Sequence, residues 1–506
     1  MPLGFIAFIL LFVPFGKVFV YNFDEGFELM RAVMQNHGFS LYRDIWSDQP
    51  PLFSVILRHW LLVFGQSIFF ARLLILLMAA LFLYFYYKTL LLFFDHPSAI
   101  FGAFILALTR DFIPFSVLVK VDMPAITLSV IASYFFVSCF FLSARPGLFS
   151  AALSGVLIVM ALQTKLYTVI VIPVFLLYAV WFLCLHWKES GAIQSIAQKA
   201  GAWIAGAVVA AVISVLLYHD LWGDRQTVFM QLLESHSTAE NLFQNIDFSH
   251  LVDDAFQVDY SVWILAGFGL IFLFSKDRWR IYFPCIWLLV VSTFFAKHTP
   301  VWSQYYLWLA IPLAWLCSMV FFGVRRSLPA TNSGLLQIFR RWQKPSSVAF
   351  RVGVVGLVFV LAVQILPTFK TYMLGQHHIQ QYETDKDKYA VLDAIKEYRA
   401  QTTWLVTDNP ILAFYADLQI PPELVVISRK RVVSENFDGA DLLAIIQKYH
   451  PEQVVLVRFI ADRFDKPFLD NVELSRYLQV HYRDLTQQNP VRPWKVYHFV
   501  SQSIES

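Results

Sequence analysis

Long uninterrupted apolar runs separated by short polar loops dominate the first 366 residues of this 506-residue chain. A helix that crosses a bilayer needs about 20 predominantly apolar residues, somewhat fewer where anchors flank it. On that length the pattern predicts eleven spans: Pro2–Val20, Ile68–Leu90, Ser98–Phe115, Pro124–Leu142, Leu148–Leu162, Thr168–Leu185, Gly201–Leu217, Val262–Phe274, Ile281–Phe295, Tyr306–Phe322 and Val352–Leu366. The pattern changes in 368–506. There, Trp404–Val406, Leu424–Ser428 and Val454–Phe459 read as short buried strands, and Asp441–Tyr449 reads as a helix between them. Alternating β and α signals predict a small α/β domain. The chain therefore divides into a membrane domain, 1–367, and a polar domain, 368–506.

Composition supports the same division. Hydrophobic residues make up 58% of the chain and charged residues 15%, against about 45–50% and about 25% for soluble domains. The 49 Phe and 15 Trp suit lipid contact and interfacial belts. A formal charge of +3 is too small and too scattered for a nucleic-acid partner. Cys139, Cys184, Cys285 and Cys317 lie in apolar runs without metal-ligand or redox spacing. Met1–Val20 lacks a basic leader and a small-residue cleavage site, so it reads as the first span and not as a signal peptide.

Basic residues in short loops set orientation. With a cytoplasmic N-terminus, Lys88, Arg145, Lys188, the run Lys276-Asp277-Arg278-Trp279-Arg280 and Arg325-Arg326 face inward, while Asp24, Glu25, Asp44, Asp48, Asp122, Asp253 and Asp254 face outward. An odd number of spans then places 368–506 outside the cytoplasm. The expectation is a multi-pass protein of the cell (inner) membrane with its chemistry on the extracytoplasmic face.

The first outer loop, 21–67, concentrates the chemistry. Phe27, Met30, Val33 and Met34 share one face of a helix that starts at Asp24-Glu25 and stops near Gly38, which predicts a helix lying in the interface plane. A second amphipathic stretch, Leu52–Phe64, follows Pro50-Pro51. Acids at such a helix start can be ordinary N-caps. They can equally meet a substrate with a lipid tail and a polar head at the membrane surface.

The series Asp24-Glu25-Gly26, Gly38, Tyr42-Arg43-Asp44 and Gln49-Pro50-Pro51-Leu52 resembles the first outer loop of GT-C fold glycosyltransferases. Within them it is most similar to bacterial members of the dolichyl-phosphate-mannose–protein mannosyltransferase superfamily, which includes the lipid A aminoarabinose transferases. Lys120-Val121-Asp122-Met123-Pro124, Lys297-His298-Thr299-Pro300-Val301-Trp302 with Tyr305-Tyr306, and Val406-Thr407-Asp408-Asn409-Pro410 follow in the same order. The resemblance implies a GT-C fold and an inverting transfer of sugar from a polyprenyl-phosphate carrier to a lipid, glycan or protein acceptor. It implies catalytic carboxylates at Asp24, Glu25 and Asp122, and cations that bind the donor phosphate; Lys120, Lys165, Lys297 and His298, all near the predicted outer boundary, are the candidates, with Lys165 interrupting an apolar run. Tyr42, Asp44, Tyr305 and Tyr306 match its substrate-binding positions.

Each of these residues also has an ordinary reading. Asp122 with Pro124 can be a helix N-cap, the lysines can snorkel towards headgroups, and Tyr305 or Tyr306 can belong to an aromatic belt. Gln49 departs from the aminoarabinose transferases, which carry a basic residue before the proline. No metal is assigned: the long loop 219–259 with Trp222, Asp224, His236 and Glu240 has no ligand pattern, and some GT-C enzymes use a divalent cation while others need none. A transporter or flippase of a lipid-linked saccharide is the competing class, although no internal repeat is visible and the acids cluster in outer loops. A non-catalytic assembly protein with a degenerate site is a further alternative.

Overall fold

The structure is a computed structural model, and it describes residues 1–141, 144–189, 191–218, 225–234, 237, 242–243, 245–327, 363, 388–435, 437–457, 468–485 and 497–504. Helices α1 (Pro2–Phe12), α2 (Asp24–Asn36), α3 (Leu52–Phe64), α4 (Ile68–Leu91), α5 (His96–Ala107), α6 (Phe112–Phe115), α7 (Asp122–Phe141), α8 (Ala144–Leu162), α9 (Val171–His186) and α10 (Ala192–Leu217) come first. After the short α11 (Arg225–Phe229) follow α12 (Phe248–Leu270), α13 (Tyr282–Phe295) and α14 (Tyr306–Ser327). Six helical segments among the described residues are long and apolar enough to cross a membrane, and five shorter apolar helices accompany them. The chain is a multi-pass membrane protein.

Ten expected spans coincide with helices, with edges moved by local chemistry. The first ends at Phe12, followed by Pro14. Arg110 and Asp111 interrupt the third, which divides into α5 and α6. The eighth begins at Phe248, where Asp247 caps the His250 amide, and so runs well before Val262. The eleventh, Val352–Leu366, lies outside the described residues, as do the 367/368 boundary and Trp222, Asp224, His236 and Glu240. Helix α14 is the hub, with 89% of its apolar window buried between α5 and α12, whereas α10 is a peripheral helix with 11% buried.

The C-terminal region forms a four-stranded sheet of order β1-β2-β4-β3, built from β1 (Leu405–Thr407), β2 (Gln453–Leu456), β3 (Tyr482–Asp484) and β4 (Tyr497–Ser501). β1 and β2 run parallel with Val406 beside Val454, which requires a crossover; the others pair antiparallel. Helices α15 (Pro410–Ala416), α16 (Arg429–Ser434) and α17 (Gly439–Tyr449) lie in that crossover, and α18 (Val472–His481) leads into β3. Leu424–Ser428 is not a strand. Pro421-Pro422 instead drives a 3₁₀ turn, Pro422–Leu424, and the buried Val425–Ile427 follows without a ladder.

The sheet domain is docked on the membrane domain. The Tyr415 hydroxyl donates to the Phe19 carbonyl at 2.8 Å and Gln66 donates to the Phe414 carbonyl at 3.2 Å. A Cβ on Gly26 of α2 would lie 2.7 Å from the Ile411 amide nitrogen, so only glycine admits α15 this closely. Helix α2 is therefore buried from Glu25 to Gln35, not laid on an open interface.

Candidate active site

Helix α2 presents Asp24, Phe27, Glu28 and Arg31 to one cavity. These positions are spaced i, i+3, i+4 and i+7, a single helical face. Glu25 is rotated about 100° from Asp24 and points into the protein. There it forms a two-pronged ion pair with Arg72 of α4, at 2.8 Å (Nε–Oε1) and 2.6 Å (Nη2–Oε2), with both side chains fully buried. The carboxylate expected to react is thus an anchor that fixes where Asp24 begins the helix.

The loop after α2 is locked by its own polar groups. Gly38, at φ +94°, ends the helix as expected. Tyr42 adopts φ +68°, and its hydroxyl donates to the Gln49 carbonyl at 2.7 Å. Gln231 bridges the loop, accepting from the Ser47 amide at 3.0 Å and donating to the Tyr42 carbonyl at 3.1 Å. Asp44 accepts the Ser40 amide at 2.7 Å. Tyr42 and Asp44 shape the loop and do not line the cavity, a correction to their expected substrate contacts.

The cavity, about 430 Å³, lies where α2, the start of α7, the break after α8 and the approach to α14 meet the sheet domain. That size suits a small ligand. Lys120 ends the loop before α7 and pairs with Asp24 at 2.7 Å, with the Asp24 side chain 44% exposed. Lys165 sits in the break between α8 and the 3₁₀ turn Leu166–Ile170 and pairs with Asp122, the first residue of α7. Its ammonium lies 5.0 Å from the Tyr305 ring centroid and 5.6 Å from that of Tyr167. The Tyr167 hydroxyl shares a 2.6 Å hydrogen bond with His298 Nε2. Asp122 and His298 thus act on the cavity through Lys165 and Tyr167.

Two expected residues fall elsewhere. Lys297 is exposed and not part of the lining. Tyr306 begins α14 pointing into the helix packing and is fully buried away from the cavity, since adjacent helical positions face different sides.

Five lining residues were not among the expected site residues: Glu28, Arg31, Asp48, Arg429 and Lys430. Arg31 pairs with Glu28 at 2.6 Å and with Asp48 at 3.2 Å, and Lys430 reaches Asp48 from the sheet domain at 3.0 Å. Burial lifts Glu28 to about 7, against the opposing pull of Arg31. Burial pulls Lys120 down, but the Asp24 and Asp122 carboxylates override it and hold its ammonium above the ordinary range. The i+4 and i+7 spacing of Glu28 and Arg31 from Asp24, and the basic run Arg429-Lys430-Arg431, are the sequence signals that point to these groups. Among the described residues, no group of three or more His, Cys, Asp or Glu is placed to hold a metal ion.

Membrane helices topped by a docked sheet domain, with a charged cavity between them, are the architecture expected of a GT-C fold. The comparisons agree. Residues 48–219 match the family model for dolichyl-phosphate-mannose-protein mannosyltransferase, and the resemblance carried by the first outer loop stands. No curated protein matches the chain in sequence. Among solved structures, it is similar to ArnT from Cupriavidus metallidurans bound to undecaprenyl phosphate, with TM-score 0.62 and 14% identity over 99% of this chain and 98% of that one. It is also similar to the apo oligosaccharyltransferase of Archaeoglobus fulgidus, with TM-score 0.54 and 13% identity over 90% of this chain and 69% of that one. AglB from Archaeoglobus fulgidus, in complex with an inhibitory peptide and a dolichol-phosphate, gives TM-score 0.54 and 11% identity over 99% and 74%.

Proposed function

We propose that this chain transfers a sugar from a polyprenyl-phosphate carrier to an acceptor on the extracytoplasmic face, with inversion at the anomeric carbon. One observation carries the reading: a half-exposed carboxylate, Asp24, pairs with Lys120 and shares its cavity with Lys165, which Asp122 holds at the break after an apolar helix. An acceptor O–H or N–H held by Asp24 attacks the anomeric carbon from the face opposite the phosphate. The carbon–oxygen bond to the phosphate breaks, its electron pair leaves with the phosphate, and Asp24 receives the acceptor proton. Lys120 and Lys165 neutralise charge that builds on the leaving group. Asp122 holds Lys165 in place, and Tyr167 and Tyr305 flank its ammonium. ArnT and AglB were each solved with a polyprenyl-type phosphate bound, which supports the same ligand class here.

The test is mass spectrometry of surface glycolipids and glycoproteins in strains carrying wild type, no gene, or Asp24→Asn. Loss of a positioned acid–base group costs about 10²–10⁴-fold in rate, so D24N should match the deletion while the protein is present at normal level. A glycan profile that D24N leaves unchanged overturns the proposal.

A further inference from the structure

The cations around the cavity are not equivalent. Arg31 is paired with Glu28 and Asp48, Lys120 with Asp24, Lys165 with Asp122, and Lys430 with Asp48. Arg429 differs from all of these. Among the described residues it makes no ion pair and no side-chain hydrogen bond, and its guanidinium lies 5.5 Å from the Phe243 ring centroid. Phe243 is itself braced edge-on against Trp302 at 5.1 Å, and both rings line the cavity. A guanidinium positioned on an aromatic ring keeps its N–H fork available for two oxygens of a carboxylate or phosphate, and it loses less rotamer freedom on binding than a free arginine.

Position separates this group from the lysines. Lys120 and Lys165 belong to the ends of membrane helices, whereas Arg429 opens α16 in the sheet domain, next to the Lys430–Asp48 link that ties this wall to the first outer loop. A carrier that approaches from the bilayer meets the lysines. A group arriving from the aqueous side meets Arg429.

We propose that Arg429 forms an oxyanion subsite in the wall contributed by the sheet domain, and that this subsite holds a phosphate or carboxylate carried by the acceptor. The acceptor is thereby an acidic molecule. The assignment of the two ends rests on the transferase reading; the presence of an anion subsite at Arg429 does not.

The experiment uses the full chain in nanodiscs of neutral lipid. Undecaprenyl phosphate is titrated first, and then inorganic phosphate, followed by phosphorus NMR, is titrated into both lipid-loaded and lipid-free protein. Wild type should bind phosphate in both states. Arg429→Ala should weaken phosphate at least 10-fold and change undecaprenyl phosphate less than 2-fold. Arg429→Lys, which keeps the charge without the fork, should fall between. Lys165→Ala should show the reverse selectivity. Unchanged phosphate binding in R429A refutes the subsite, and so does an equal loss of both ligands, which would place Arg429 in the donor site. An adventitious ion only, bound equally by every variant, refutes it as well. Failure of wild type to bind undecaprenyl phosphate would count against the transferase reading, while the lipid-free titration would still decide the subsite.

Discussion

Replacing Arg72 by Met tests what holds the reactive end of α2 in place. Arg72 and Glu25 are both fully buried, and the guanidinium also donates to the carbonyls of Phe15 and Val18, the latter at 2.6 Å. Arg72→Met leaves the Glu25 carboxylate buried without its cation, which costs about 3–5 kcal/mol. It also deprives two chain-reversal carbonyls of their donor, worth about 1–3 kcal/mol each before water enters. The single substitution should therefore destabilise the protein by about 5 kcal/mol or more. Pairing it with Glu25→Leu removes both charges, and buried ion pairs exchanged for apolar groups of similar volume come out near neutral. The double variant should recover at least about 2 kcal/mol and retain only the carbonyl loss. Reversible unfolding in mixed micelles measures all four corners of the cycle. If Arg72→Met lies within about 1 kcal/mol of wild type, or if the two substitutions simply add, the pair is not the anchor described here.

Two further outcomes follow from the cavity. Glu28, lifted to about 7, takes up a proton as the pH falls through that value. Neutral Glu28 loosens its hold on Arg31 and makes the cavity more positive, so donor KM should fall from pH 8 to pH 6; Glu28→Gln should flatten the profile, and an unaltered slope in E28Q would contradict the assignment. Lys165→Ala should weaken undecaprenyl phosphate at least about 10-fold, equivalent to about 1.4 kcal/mol, with Asp122→Asn shifting the same titration in the same direction by less; unaltered affinity in both would remove Lys165 from the donor site.

Much of the architecture was legible because it depends on local chemistry. Apolar run length produced the helices, and proline and glycine marked their ends. Sequence order also carried Asp24, Lys120 and Tyr305 into one family pattern, and Lys165 stood out by interrupting an apolar run. Adjacency misled where it stood in for geometry. Glu25 and Tyr306 are one residue from cavity groups, yet a helix turns about 100° per residue, and each faces the packed interior. Tyr42 and Asp44 sit in the motif and yet serve the loop.

What tertiary structure alone decided is pairing across distance. Arg72 finds Glu25, Lys165 finds Asp122, and Lys430 crosses from the sheet domain to Asp48. No local rule selects those partners. A charge withdrawn from water is tolerated only beside its counter-charge, so the packing that buries each group also determines which distant residue must meet it. Local spacing therefore determined the elements, while burial decided which charges became anchors and which remained open to a ligand.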